Sequence, residues 1–101
     1  MYRRIVEEFT RTPRDVHTVP TNKTPYKWFF VYAENSTLYI EPAHYNSPKS
    51  VVKRRQLPEK ECNDILKIYH RRLRGENVSK EAQALTFSQV YWFGIFSALN
   101  L

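Results

Sequence analysis

Residues 57–99 read LPEKECNDILKIYHRRLRGENVSKEAQALTFSQVYWFGIFSAL, the stretch with the long helical pattern, the best caps and the densest positive charge of the chain. Its spacing predicts three helices, over 58–74, 79–85 and 87–99. Pro58 presets φ at the first position of the first helix, and Gly75 stops it. Cys62, Ile65, Leu66, Tyr69 and Leu73 form one apolar stripe. At ~100° per residue, Lys60, Lys67, Arg71 and Arg74 gather on the opposite side, with Asp64 the one acid among them. Ser79 is placed to cap the second helix, whose Ala82 and Leu85 face inward. Thr86-Phe87-Ser88-Gln89 spells a capping box for the third, with Leu85 and Val90 as the staple across it. A long helix, a short one and a tight junction into a third give the outline of a helix-turn-helix.

The third helix carries Phe87, Val90, Tyr91, Trp92, Phe93, Ile95, Phe96 and Leu99, which leaves almost no polar face. Such a helix is buried all round. It either fills the centre of the domain or pairs, through residues 87–99, with a second copy of the chain. Gly94 costs about 1 kcal/mol there relative to alanine, a loss that close approach of another backbone would offset.

Upstream, Tyr26–Ala33 reads as the clearest strand, because Tyr, Trp, Phe and Val crowd a segment too short and too aromatic for a surface helix. Alternation puts Tyr26, Trp28, Phe30 and Tyr32 on one face and Phe29, Val31 and Ala33 on the other. Glu34-Asn35-Ser36 is a turn, and Thr37–Glu41 returns, so 26–41 is a hairpin. Pro42–Lys49 reads as loop. Residues 50–56 alternate as an edge strand, Val51, Lys53 and Arg55 against Val52, Arg54 and Gln56. Tyr2–Thr10 places Ile5, Val6 and Phe9 at helical spacing and reads first as a short amphipathic helix, with a first strand as the alternative, and 11–24 has no period and reads as loop. The fold class that follows is α+β: a small antiparallel sheet packed by a C-terminal three-helix unit, in a single domain over 1–101.

The formal charge is +6, from 16 basic and 10 acidic residues. That balance suits an anionic partner, nucleic acid before an acidic protein or a lipid surface, with DNA favoured over RNA. The lone cysteine, Cys62, has no internal partner and sits on the apolar stripe, so a buried thiol and a reducing, cytoplasmic setting are expected. Met1-Tyr2-Arg3-Arg4 is followed by no apolar run, and no segment is long and apolar enough to span a bilayer, so neither a secretory leader nor membrane insertion is expected.

A non-enzymatic nucleic-acid-binding protein is therefore the expected function, of the regulatory or mobile-element accessory kind. Lys60, Lys67, Arg71 and Arg74, with Arg72 and Lys53-Arg54-Arg55 nearby in sequence, are the candidate phosphate contacts. A solvated helix face accounts for the same charges. In a helix-turn-helix, Thr86, Ser88, Gln89 and Trp92 would reach base edges, Gln89 being suited to adenine. The file Tyr26, Trp28, Phe30, Tyr32, joined by Tyr39, is a candidate stacking platform for unpaired bases. A face covered by helix is the plainer expectation for it. The competing class is a protein-interaction module, an inhibitor or dimeric adaptor, that uses the aromatic third helix. A metal-dependent nuclease ranks third: Glu34 and Glu41 flank a strand, but the Asp-then-Glu-x-Lys spacing is absent. His17, His44 and His70 lack the spacing of a zinc site. With Gly75 and Gly94 as the two glycines there is no phosphate-cradling loop, and no cofactor is expected.

Overall fold

The computed structural model describes residues 1–21, 25–50 and 53–101. The chain order is α1 (Tyr2–Arg11), β1 (Arg14–His17), β2 (Trp28–Glu34), β3 (Thr37–Pro42), β4 (Arg55–Leu57), α2 (Glu59–Leu73), α3 (Ser79–Leu85) and α4 (Gln89–Ala98). The strands form one antiparallel sheet in the order β1-β2-β3-β4, so each pairs with its neighbour in sequence. The α+β class expected from the sequence is what the chain adopts: an N-terminal helix, an antiparallel sheet and three C-terminal helices packing on that sheet.

The centre of the sheet is the β2–β3 hairpin, in register from Phe29↔Pro42 to Glu34↔Thr37. Asn35 and Ser36 close it with φ of 53° and 62°. Two consecutive left-handed residues make the mirror-image turn whose twist matches the strands, and Asn tolerates that conformation better than most residues. The segment read as loop over 11–24 contains β1, which pairs Arg14↔Val31 through His17↔Trp28. With one apolar residue in Arg-Asp-Val-His, this strand has no pattern of its own; pairing with β2 makes it. The predicted edge strand is shorter than expected, three residues at Arg55–Leu57. Lys49 bridges Trp28 in parallel on the other side of β2. Val51 and Val52, the first part of that predicted strand, lie outside the described residues.

One face of the sheet carries Val16, Phe29, Val31, Leu38, Ile40 and Leu57, all buried, and the helices lie on this side. Helix α1 packs on β2 and β3, and α4 packs on β1 and α2. Tyr2 ties the layers together. Its hydroxyl donates to the Leu57 carbonyl at 2.6 Å and accepts the Leu38 N–H at 2.8 Å, bridging the registered pair Leu38↔Leu57 of β3 and β4. Gly94 of α4 faces the end of β1, where a Cβ would lie 2.6 Å from the His17 carbonyl oxygen. The approach that glycine permits is thus made within one chain.

The three C-terminal helices occur where the pattern put them, with changes at their ends. Pro58 is the N-cap of α2 and not its first residue. After α2, the Glu76 N–H bonds to the Arg71 carbonyl and the Gly75 N–H to that of Arg72, with Gly75 at φ 93°. This is the Schellman arrangement that glycine favours. Of the apolar stripe, Cys62, Ile65 and Tyr69 are buried and Leu66 partly so, but Leu73 is 62% exposed because the helix core ends before it. At α3 the expected cap by Ser79 is replaced: the Asn77 side chain accepts the Ser79 N–H. The capping box at 86–89 does not form either. The Thr86 N–H completes α3 by bonding to Ala82, while the Thr86 hydroxyl accepts the Ser88 N–H and donates to Glu61. Helix α4 accordingly starts at Gln89, and Phe87, 94% exposed, and Val90 lie outside the core. Trp92, Phe93, Gly94, Ile95 and Phe96 of α4 are buried within the single chain, and Tyr91 is half-buried.

Candidate nucleic-acid interface

Alternation along β2 forces a choice of face, because both of its sides are apolar. The helices take the Phe29/Val31 side, so the file expected to be covered by helix is left on the open side of the sheet. Trp28, Phe30 and Tyr32 of β2 and Tyr39 of β3 lie there half-buried. Cross-strand pairing adds Asp15 and His17 from β1, opposite Phe30 and Trp28, and Glu41 and Gln56 from β3 and β4. Lys49, bridged to Trp28, falls on the same face.

Three clusters of rings divide this face. At one end, His17 and Tyr26 meet Trp28 with centroids 4.9 and 6.0 Å away and planes at 77° and 88°, so they pack as edges. In the centre, His44 stacks on Phe30, with centroids 3.5 Å apart and planes 2° from parallel. At the other end, Tyr32 and Tyr39 stack at 5.5 Å, and the Arg54 guanidinium sits 4.2 Å above the Tyr39 ring while its Nε donates to the Tyr32 hydroxyl. Arg54 also approaches Glu34 at 3.8 Å, and both side chains are more than half exposed. An arginine over an aromatic face is a cation–π contact that leaves the outer side of the guanidinium open to an anion.

The loop after β3 is held over the face by Asp15. Its carboxylate accepts the backbone N–H groups of His44, Tyr45 and Asn46 and the Asn46 side-chain amide, at 2.8–3.0 Å. Burial raises the Asp15 carboxyl, but these donors outweigh it and hold it below the usual carboxylate range. His44 Nε2 donates to Glu41 at 2.6 Å. Tyr45, beside it, is 82% exposed.

The basic residues predicted from the sequence are dispersed around the molecule. Of Lys53-Arg54-Arg55, Arg54 joins the open face, while Arg55 turns to the helix side, donating to Ser88 and lying 5.7 Å from the Tyr91 ring centroid. Lys53 is exposed. On α2, Lys60 and Lys67 are exposed, but Arg71 is engaged by Glu81 through both terminal nitrogens at 2.6 and 2.8 Å and by Glu76 at 3.0 Å. Those bonds hold the Glu81 carboxyl below its ordinary range. Arg74 reaches Glu76 at 3.6 Å, and Arg72 lies over the Phe93 ring at 5.3 Å. Ser88 is buried beneath Arg55, and Gln89 is half-buried at the start of a helix whose middle is in the core. The sequence reading missed Asp15, His17, Glu41 and His44 as neighbours of the aromatic file. Their placement depends on β1 and on the loop 43–47, neither of which has a local pattern in the sequence. Among the described residues no group of three or more His, Cys, Asp or Glu is arranged to hold a metal ion. Among them, too, no helix is long and apolar enough to cross a membrane. Comparison with protein-family models, with curated proteins and with solved structures finds no match to this chain.

Proposed function

We propose that this chain is a non-enzymatic nucleic-acid-binding protein that takes a single strand on the open face of its sheet. The observation that carries the reading is the file Trp28, Phe30, Tyr32 and Tyr39, left uncovered by the helices and flanked by Arg54 and Lys49 on a chain of charge +6. Every base has a π-face, so an aromatic sheet binds without needing a sequence, and cations beside it meet the phosphates. The Phe30 and Tyr32 centroids are 6.2 Å apart, nearly twice the 3.4 Å per-strand rise of a stacked duplex. One unstacked base per ring fits this spacing, and a duplex, whose base faces are hidden, does not.

The basic side of α2 ranks second as a phosphate surface. Arg71 already bonds two carboxylates and Arg74 reaches Glu76, so Lys60 and Lys67 are the residues of that stripe with charge to spare for a ligand. An interaction-module reading draws on one observation, the exposure of Phe87 and Val90 at the start of α4, which gives a second copy or another protein a small apolar foothold. The deciding experiment is fluorescence anisotropy with 5′-labelled thymidine and uridine decamers and a labelled duplex, at low and moderate salt. Binding of either decamer over the duplex, weakened roughly tenfold by Trp28→Ala and with a flatter salt slope in Arg54→Ala, is the expected result. Equal binding of duplex and decamers, with Trp28→Ala unchanged and the slope flattened instead by Lys60→Ala/Lys67→Ala, would move the site to α2.

A further inference from the structure

The central ring of the open face is in a different state from its neighbours. Trp28 is met by His17 and Tyr26 at their edges, and Tyr39 by a guanidinium. Phe30 is covered by a planar heterocycle, the His44 imidazole, almost directly over it at 3.5 Å and within 2° of parallel. That is the separation and orientation of a base stacked on an aromatic side chain. The likeness extends to the edge of the ring, where Nε2 donates to the Glu41 carboxylate at 2.6 Å, as a base N–H or exocyclic amine can.

We infer that His44 occupies, in the free protein, the position a base takes over Phe30, and that a bound strand displaces the imidazole and inherits both the Phe30 face and the Glu41 carboxylate. The inference rests on the single-strand reading above and adds to it a competitor built into the site. The exchange is local. The loop is fastened to Asp15 through the main-chain N–H groups of His44, Tyr45 and Asn46 and through the Asn46 amide. The His44 side chain can therefore rotate away while every one of those bonds stays made. Ala43, next to it, is buried and anchors the same loop. Exposed as it is to 38%, the imidazole has solvent to swing into. The ligand class that follows is a strand with splayed bases, one over Phe30 and others over the Trp28 and Tyr32/Tyr39 clusters.

A site filled by its own side chain binds with an affinity reduced by the fraction of time it is open. His44→Ala should therefore bind the labelled thymidine or uridine decamer more tightly than the wild type, by about five- to tenfold if the ring is in place some 80–90% of the time. His44→Phe keeps a ring able to lie on Phe30 and should fall between the two. Phe30→Ala should lose roughly tenfold or more whether His44 is present or not. Because the main-chain bonds to Asp15 do not involve the imidazole, His44→Ala should fold, and circular dichroism checks it. Wild-type binding with His44→Ala equal or weaker would overturn the inference and leave the single-strand reading standing, His44 then being a partner of the strand. Failure of both the wild type and His44→Ala to bind either decamer would overturn the single-strand reading and the inference with it.

Discussion

Removing one oxygen atom at Tyr2 should cost more than most side-chain deletions on the surface of this fold. The hydroxyl fills a gap between β3 and β4, donating to Leu57 and accepting from Leu38, both of which are fully buried. Tyr2→Phe keeps the ring in the core, where it lies 6.2 Å from the Trp92 ring, and leaves one buried N–H and one buried carbonyl without partners. Each orphaned group costs about 1–3 kcal/mol, and partial closure of the gap recovers some of that, so a net loss of about 2–3 kcal/mol is expected. For a chain of this length the melting temperature should fall by on the order of 10 °C or more. Urea titrations followed by circular dichroism measure it, with the midpoint moving and the slope unchanged. A second arm uses pH. Burial raises the Tyr2 hydroxyl above its ordinary pKa, the Leu38 N–H opposing in part, so the folded protein favours the neutral phenol. The stability this contributes is complete below the unfolded value near 10 and is lost as pH climbs through the raised one. Wild type should therefore lose more stability above pH 10 than Tyr2→Phe. A stability change under about 0.5 kcal/mol, or identical alkaline profiles, would refute the bridging role.

Two further outcomes test the core. Burial pushes the Cys62 thiol up to about 11, so at neutral pH there is almost no thiolate; an aromatic disulfide reagent should label it only at the rate of unfolding, and immediate stoichiometric labelling of native protein would contradict its placement. Gly94→Ala gains about 1 kcal/mol of helix propensity but forces a methyl to 2.6 Å from the His17 carbonyl, so a net destabilisation of about 1–3 kcal/mol is expected from urea titration, and a stabilised variant would show that β1 does not press on α4.

What the sequence made legible follows the range of the interactions involved. The hairpin turn at Asn35-Ser36, the Gly75 stop and the buried side of α2 from Cys62 to Tyr69 are written in residues a few positions apart and occur where the local pattern put them, Leu73 at the end of the stripe excepted. Strand β1 was missed because Arg14-Asp15-Val16-His17 becomes a strand only by pairing with residues 28–31, across a connection no local pattern reveals. The capping box failed for a related reason. Glu61, 25 residues before Thr86, accepts the Thr86 hydroxyl and also the Trp92 indole N–H, and that arrangement draws Thr86 into the end of α3. The basic stripe is a pattern within one helix, whereas Glu76 and Glu81, which neutralise Arg71, come from beyond the end of α2 and lie outside that pattern. At β2 the ambiguity lay in the composition itself. Two apolar faces satisfy the alternation rule equally, and only the helices decide which becomes core.

That decision leaves a surface the protein has to manage, because an uncovered row of aromatic rings is the kind of patch through which soluble chains stick to one another. Here the covers are polar and separately removable. Arg54 lies over Tyr39, His44 lies over Phe30, and His17 packs steeply tilted against Trp28 while its Nδ1 donates to the Thr18 carbonyl. None of these three side chains holds the sheet together, since the register of β1 to β4 is made by main-chain pairing and the opposite face supplies the core. A cover that served folding would be expected to be apolar and packed, as α1 and α4 are on the other side. Covers that are charged or heterocyclic and partly exposed keep the rings wetted at their rims, and in the single-strand proposal they give way to a ligand that offers a planar ring and a phosphate. The asymmetry between the two faces of one strand, Phe29 and Val31 sealed under helices, Phe30 and Tyr32 under polar side chains, is therefore the observation on which the proposed binding role of the open face rests.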